Sequence, residues 1–139
     1  MIRNVKNIIV PLLLVVTIIA GHNTGSAQQK GMMIRISEIV IHPEFLDEYK
    51  RILTEESSDS IRLEPGVVAI FPMFEKEHPT EIRILEIYAT REAYESHLKT
   101  PHFQKYKTTT LNMVKSLKLV DMTEIDPETM TKIFKKLKR

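Results

Sequence analysis

Two histidines stand five positions apart in residues 93–106, which read AYESHLKTPHFQKY, and a Thr-Pro step separates them. Histidine exchanges a proton readily near neutral pH, so it serves as a general acid or base. In the helix predicted before the break, His97 shares a face with Tyr94 and Leu98 and is expected to point inward. His102 follows Pro101 at the start of the next helix, nearer a boundary. Because a lone inward histidine is also common in protein cores, spacing alone leaves a catalytic and a structural interpretation open.

Two glutamates on predicted strands are the other candidates for proton chemistry. Glu38 shares a strand face with the apolar residues at positions 34, 36 and 40, and Glu86 shares one with those at positions 82, 84 and 88. A carboxylate on an apolar face costs free energy unless it is paired. Each glutamate therefore forms an ion pair with Arg35 or Arg83, reaches water at a strand end, or faces a pocket and binds a histidine or a substrate hydroxyl.

The elements that must position these residues alternate along the chain. Alternating, β-branched or aromatic runs predict strands at residues 33–41, 67–74, 81–89 and 117–122. Helix starts are predicted at Pro43, Thr90, Thr100-Pro101 and Asp126-Pro127, and Glu64-Pro65-Gly66 is a turn signal. Pro72 favours an edge position or a bulge for its strand.

This order is that of an α+β ferredoxin-like split β-α-β sandwich, a four-stranded antiparallel sheet with helices on one face. We predict this domain over residues 33–123 and a basic C-terminal helix over residues 124–139. The spacing of Phe103, Tyr106, Thr110 and Val114 predicts a helix that reaches Val114. Ile125 and Met130 are spaced as a hydrophobic staple of the terminal helix.

Both faces of the predicted sheet are apolar, although helices on one side normally leave the other face polar. A second copy of the chain is the expected cover, which predicts a homodimer whose sheets pack together as a dimeric α+β barrel. The alternative is that the terminal helix folds over the open face.

The N-terminus has the pattern of a secretory signal peptide. Arg3 and Lys6 precede an apolar run at residues 8–20, and small residues end the segment at Ala27. Cleavage there would leave a short leader at residues 28–32 and an exported protein, periplasmic or secreted, without a stable membrane span. The apolar run is shorter than the roughly 20 residues of a spanning helix and contains Pro11, which argues against an uncleaved anchor.

Charge and composition exclude several function classes. Removing residues 1–27 takes away two of the 20 basic residues and none of the 18 acidic ones, so the mature chain has no net charge and no nucleic-acid partner is predicted. Without cysteine, disulfides and thiolate metal sites are impossible. Neither H-E-x-x-H nor a close histidine pair at ligand spacing occurs, so no metal site is predicted.

The run ESHLKTPHFQKY, with Glu86-Ile87-Tyr88 and Glu64-Pro65-Gly66 before it, resembles the antibiotic biosynthesis monooxygenase domain family. More narrowly it is similar to the branch of quinol monooxygenases and the autoinducer-2 phosphate-processing isomerase. The resemblance covers about residues 33–122. It implies a dimer of ferredoxin-like subunits, and it places the two motif histidines on His97 and His102 and the strand glutamate on Glu86.

The resemblance implies cofactor-free oxidation of a small quinol-like or phenolic substrate, with neither flavin nor metal. His97 would be the base or an orienting group, and Glu86 its partner. The expected substrate contacts are Tyr88, His102, Glu38, Phe103 and Tyr106. Relatives that degrade haem use a tryptophan. This chain has none, so haem degradation is disfavoured. An isomerase acting on a small dicarbonyl, or a non-catalytic binding module on the same fold, remains the alternative.

Overall fold

The computed structural model describes residues 31–137. The predicted signal peptide and most of the leader lie outside these residues. The strands are β1 (Met33–Ile41), β2 (Val67–Phe74), β3 (Glu81–Tyr88) and β4 (Val114–Met122). The helices are α1 (Leu46–Leu63), α2 (Arg91–His97), α3 (Pro101–Thr109) and α4 (Pro127–Leu137), and a 3-10 turn at Pro43–Phe45 leads into α1.

The four strands form one antiparallel sheet in the order β2-β3-β1-β4. This order and the helices on one face confirm the predicted ferredoxin-like α+β fold. Pro72 lies in β2 at the edge of the sheet, where a missing N–H is tolerated, and the β2–β3 register shifts between Val67 and Ala69.

Strict alternation along β1 decides which side chains meet the helices. Every odd-numbered residue from Met33 to Ile41 is buried, and every even-numbered one is half-buried. On the helix side Ile39 and Ile41 join Ile82 and Ile84 in a core with Tyr49, Ile52 and Leu53 of α1. Burying each such side chain contributes about 1.5–3 kcal/mol, so this cluster anchors α1 on the sheet.

The other side of the sheet, which we call the open face, carries the apolar side chains of alternate strand residues. Ile34 and Leu85 line a shallow groove on it together with Met130 of α4. Phe71 and Met73 of β2 remain 59% and 39% exposed. The start of the terminal helix therefore borders this groove, and the β2 side of the open face stays uncovered.

The helix starts agree with the sequence prediction. The side chain of Thr90 accepts a hydrogen bond from the backbone N–H of Ala93, and that of Thr100 accepts one from Phe103. Asp126 accepts from the backbone N–H of Glu128 at the start of α4. No helix among residues 31–137 is long and apolar enough to cross a membrane.

Two finer predictions were wrong. Helix α3 ends at Thr109, and β4 begins at Val114, which pairs with Ile41 beyond a register shift in β1. Pairing with β1 outweighs the helical spacing because Val114 is β-branched and packs against the core. Ile125 is fully exposed, so it forms no staple with Met130.

Replacing Gly66 with alanine is expected to destabilise the fold by about 1–3 kcal/mol, because an added Cβ would lie 2.6 Å from the Cβ of Ala93. Thermal or urea unfolding measures the loss. Adding Ala93→Gly to Gly66→Ala should recover part of the lost stability, because it removes the clashing Cβ. If Gly66→Ala cost the same with alanine or glycine at position 93, this contact would not be the cause.

Candidate active site

A cavity of about 550 Å³ lies between the helix side of the sheet and helices α2 and α3. This volume is typical of a pocket for a small molecule. Its apolar wall includes Leu98 and Phe103 from the helices and Leu117 and Leu119 from β4. Polar side chains from β1, β3 and α2 lie among these apolar ones. They are Arg35, Glu86, Tyr88, Tyr94 and His97.

Glu86 projects from β3 into this cavity and is held by two hydroxyl donors. Ser37 of β1 donates to its Oε1, and the hydroxyl of Tyr88 donates to its Oε2 at 2.9 Å. A carboxylate has about four acceptor positions, so these two bonds fix its orientation and leave others for a ligand. Of the three alternatives given for Glu86, an ion pair, water at a strand end or a pocket, the structure shows the carboxylate at a pocket.

Arg35 lies opposite Glu86 in the β1–β3 register, yet its guanidinium turns to other partners. Its Nε donates to Asp121 Oδ1 at 2.7 Å, and its Nη1 donates to the Tyr94 hydroxyl at 2.7 Å. Burial alone lowers the pKa of Arg35, but these hydrogen bonds outweigh it and raise the pKa above its ordinary value. The cavity wall therefore includes a guanidinium that is held in place and ion-paired with Asp121.

His97 is 2% exposed, and its ring packs against Phe103 with the centroids 4.6 Å apart. Its Nδ1 lies 2.9 Å from Glu64 Oε1, and its Nε2 lies 3.7 Å from Glu56 Oε1. A carboxylate only accepts, so Nδ1 carries a proton. The hydrogen-bond partner of His97 is thus Glu64, whereas the hydrogen bonds described for Glu86 come from Ser37 and Tyr88.

His102 reaches the same carboxylate from the start of α3. Its Nε2 lies 2.6 Å from Glu64 Oε1 and 3.1 Å from Thr100 Oγ1. Glu64, which follows α1 as its C-cap, therefore joins the two motif histidines. His102 borders a separate cavity of about 120 Å³ beside Glu56 and Tyr106, so its relation to the large cavity is indirect.

The remaining predicted contacts divide between the two faces of the sheet. Phe103, Tyr106 and Tyr88 line the large cavity. Glu38 lies on the open face, where its Oε2 is 3.3 Å from Lys118 Nζ, so the sheet separates it from the cavity. This placement corrects the grouping of Glu38 with the other contacts, because side chains alternate along β1 and Ser37, not Glu38, faces the helices.

The family model for antibiotic biosynthesis monooxygenases matches residues 32–109, more than half of the chain. The chain belongs to the antibiotic biosynthesis monooxygenase family. The matched residues include Glu56, Glu64, Glu86 and both motif histidines, whereas the β4 part of the cavity lies beyond them.

Solved structures agree with this assignment. A protein of Bacteroides thetaiotaomicron, provisionally named an antibiotic biosynthesis monooxygenase, is 50% identical, with a TM-score of 0.70 over 71% of this chain and 94% of its own. A provisionally named monooxygenase of Lactobacillus acidophilus is 27% identical, with a TM-score of 0.66 over 68% of this chain and 45% of its own. A Nitrosomonas europaea protein at 23% identity shares the fold, with a TM-score of 0.66 over 71% of this chain and 95% of its own. No protein with curated annotation matches the chain.

Two tyrosines beside the site should make the fold sensitive to alkali. The hydroxyls of Tyr49 and Tyr106 lie 2.6 Å apart. Burial raises the pKa of Tyr106 to about 12 and raises that of Tyr49 above its ordinary value. Since folding favours the neutral phenols, their stabilising contribution is complete below pH ~10 and is lost as the pH rises through the folded pKa values.

Urea unfolding between about pH 8 and pH 12 should therefore show a falling free energy of unfolding above pH ~10, and Tyr106→Phe should make the fall shallower. Tyrosinate absorbance in the folded protein measures the raised pKa values of these tyrosines directly. Ionisation of all four tyrosines of the chain near pH 10 in the folded state would contradict it.

Proposed function

We propose that the chain is an exported monooxygenase that oxidises a small quinol-like or phenolic substrate in the large cavity without a bound cofactor. The observation that carries this proposal is the position of Glu86, a carboxylate oriented by Ser37 and Tyr88 inside a mostly apolar cavity. Membership of the antibiotic biosynthesis monooxygenase family supports a monooxygenase reaction, and the mostly apolar cavity supports a small aromatic substrate.

A flat aromatic substrate suits the walls of this cavity. Phe103 and Tyr106 of α3 offer ring faces, and Leu117 and Leu119 of β4 offer aliphatic surface on the sheet side. A phenolic hydroxyl directed at Glu86 would donate a hydrogen bond to a free acceptor position of the carboxylate. The charged guanidinium of Arg35, also in the wall, favours the phenolate that forms when the proton leaves.

The reaction balances with dioxygen as the only co-reactant. Glu86 takes the hydroxyl proton, and the electron-rich ring carbon of the anion bonds to one atom of dioxygen to give a hydroperoxide. The O–O bond then breaks, so that one oxygen stays on carbon and the other leaves as water. The hydroquinone becomes a hydroxyquinone and supplies both electrons that reduce the second oxygen to water.

His97 has a supporting part in this proposal. Its ring forms part of the cavity wall, and Glu64 fixes the ring through Nδ1. The hydrogen bonds favour the orienting role over that of the base, because Glu86 is the cavity carboxylate with acceptor positions left. Whether His97 exchanges a proton stays a prediction.

Oxygen uptake tests the proposed function. Purified protein is mixed with a panel of hydroquinones and phenols, and uptake is followed with an oxygen electrode against protein-free solutions. We expect saturable uptake with at least one bicyclic hydroquinone, which fits a cavity of about 550 Å³. Uptake no faster than autoxidation across the panel would contradict quinol oxidation and favour an isomerase or a binding module.

Export and assembly are part of the same proposal. The basic and apolar pattern of residues 1–27 supports export. The exposed apolar side chains of the open face support a homodimer in which two such faces pack together.

Phe71→Glu is expected to convert the homodimer to a monomer, because it places a charge on an exposed apolar position of the open face. Light scattering after size-exclusion chromatography measures the mass at micromolar concentration. Leu63→Glu is the control, since Leu63 is similarly exposed at the end of α1. A monomeric unaltered protein would contradict packing between open faces.

A further inference from the structure

Behind the cavity wall, three side chains bring potential metal ligands together. One carboxylate oxygen of Glu56 and one ring nitrogen each of His97 and His102 all lie within 4.8 Å of one another. Glu56 and His97 are buried and His102 is half-buried. Two imidazoles and a carboxylate are the ligand set that zinc takes in open, three-ligand sites.

The spacing of His97 and Glu56 fits a shared ion better than a direct hydrogen bond. His97 Nε2 and Glu56 Oε1 are 3.7 Å apart, too far for a hydrogen bond. Two ligands bound tetrahedrally at about 2.0–2.2 Å from a zinc ion lie roughly 3.3–3.6 Å apart, so this pair needs to approach by only a few tenths of an ångström, and the ligand atom of His102 lies within 4.8 Å of both.

Glu64 supplies His97 with the outer hydrogen bond that ligating histidines commonly have. His102 contacts Glu64 through Nε2 at 2.6 Å, so as a ligand it uses Nδ1 or exchanges this contact for the ion. Glu64 accepts from Nδ1 of His97, which leaves the lone pair of Nε2 on the side of Glu56 in the neutral ring. Such a carboxylate fixes the tautomer and orientation of a ligating imidazole and increases its basicity. Ser60 Oγ in turn donates to Glu56 Oε1 at 2.7 Å and holds that carboxylate in place.

The charge of the cluster also favours a cation. Glu56 and Glu64 are two largely buried carboxylates, and among residues 31–137 their ion pairs are with His97 and His102 rather than with lysine or arginine. Buried carboxylates need compensating positive charge. A divalent ion bound by the cluster would supply this charge.

An ion can reach the cluster without crossing the large cavity. The small cavity of about 120 Å³ between α1 and α3 is lined by Glu56 and His102 and is bordered by Glu55 and Asp59. Arg51 and Lys105 also line it, and Glu55 and Asp59 are paired with Lys105 and Arg62, so the cavity supplies a route to the cluster rather than an attraction for cations.

We propose that Glu56, His97 and His102 form a binding site for a divalent transition-metal ion of the zinc class. The site lies on the α1 side of His97, whose ring also borders the large cavity. The oxidation chemistry proposed above does not require this ion, and the test of the site needs no substrate.

Calorimetric titration of Zn²⁺ into chelator-treated, untagged full-length protein tests the site. We expect one tight equivalent per chain, weakened at least about tenfold by His102→Ala and by Glu56→Gln. His78→Ala is the matched control, because His78 lies in an exposed cluster with Glu75 and Glu81 that offers a similar number of ligand atoms. Binding should be unchanged in this variant.

Cobalt spectroscopy keeps the test independent of how the variants fold. Co²⁺ added to the unaltered protein should give the visible absorption of a low-coordinate nitrogen and oxygen site, and Zn²⁺ should displace it. The proposal would be overturned if the unaltered protein bound no stoichiometric Zn²⁺. It would also be overturned if His102→Ala and Glu56→Gln bound Zn²⁺ as tightly as the unaltered protein, or if binding were lost in His78→Ala instead.

Discussion

Glu86→Gln is expected to lower kcat by about 10²–10⁴-fold, the range associated with a positioned acid or base. Glutamine keeps the length of the side chain and can still accept from Ser37 and Tyr88, but it cannot take a proton. KM should therefore change much less than kcat. Initial rates of oxygen uptake over a range of substrate concentrations separate the two constants.

Glu38→Gln is the matched control for this prediction. It makes the same chemical change one sheet face away, where Glu38 pairs with Lys118 and does not line the cavity. We expect near-normal turnover and an unchanged melting temperature. Equal losses of kcat in the two variants, or full activity in Glu86→Gln, would contradict the assignment of Glu86 as the proton acceptor.

Glu64→Ala is expected to destabilise the protein by about 2–3 kcal/mol, because it removes a largely buried carboxylate that accepts from both motif histidines. For a domain of this size the melting temperature should fall by roughly 10 °C. Calorimetry or circular dichroism measures the change at neutral pH.

Glu55→Ala is the control, in the helix that Glu64 caps. Glu55 pairs with Lys105, but both side chains are exposed, so its removal should change stability by less than about 0.5 kcal/mol. If Glu64→Ala lowered the stability as little as this control, the contacts of Glu64 with His97 and His102 would not hold the end of α1 to α2 and α3.

Local sequence patterns were sufficient to predict the fold. Alternation in β1, the caps at Thr90 and Thr100, and Pro72 in an edge strand each depend on neighbouring residues, and the structure confirms them. The end of α3 was predicted wrongly because the register of β4 against β1 is a long-range property. Thr110 and Val114 fit the helical spacing, but pairing with β1 decides where the strand begins.

The site was predicted only in part, for the same reason. The positions of His97 and Glu86 follow from local faces, and both line the cavity. Glu64 and Glu56 precede His97 by 33 and 41 positions, so no spacing rule connects them with it. The turn signal Glu64-Pro65-Gly66 was visible in the sequence, but only the return of α2 beside the end of α1 shows that its glutamate meets both histidines.

Isotope labelling distinguishes a monooxygenase from an oxidase. Single turnovers are run under ¹⁸O₂ with the hydroquinone that gives the fastest uptake, and the product is analysed by mass spectrometry. We expect one labelled oxygen atom in each product molecule, one labelled water, and one dioxygen consumed for each substrate. An unlabelled quinone formed with hydrogen peroxide would show that the protein acts as an oxidase and would contradict the proposed monooxygenase.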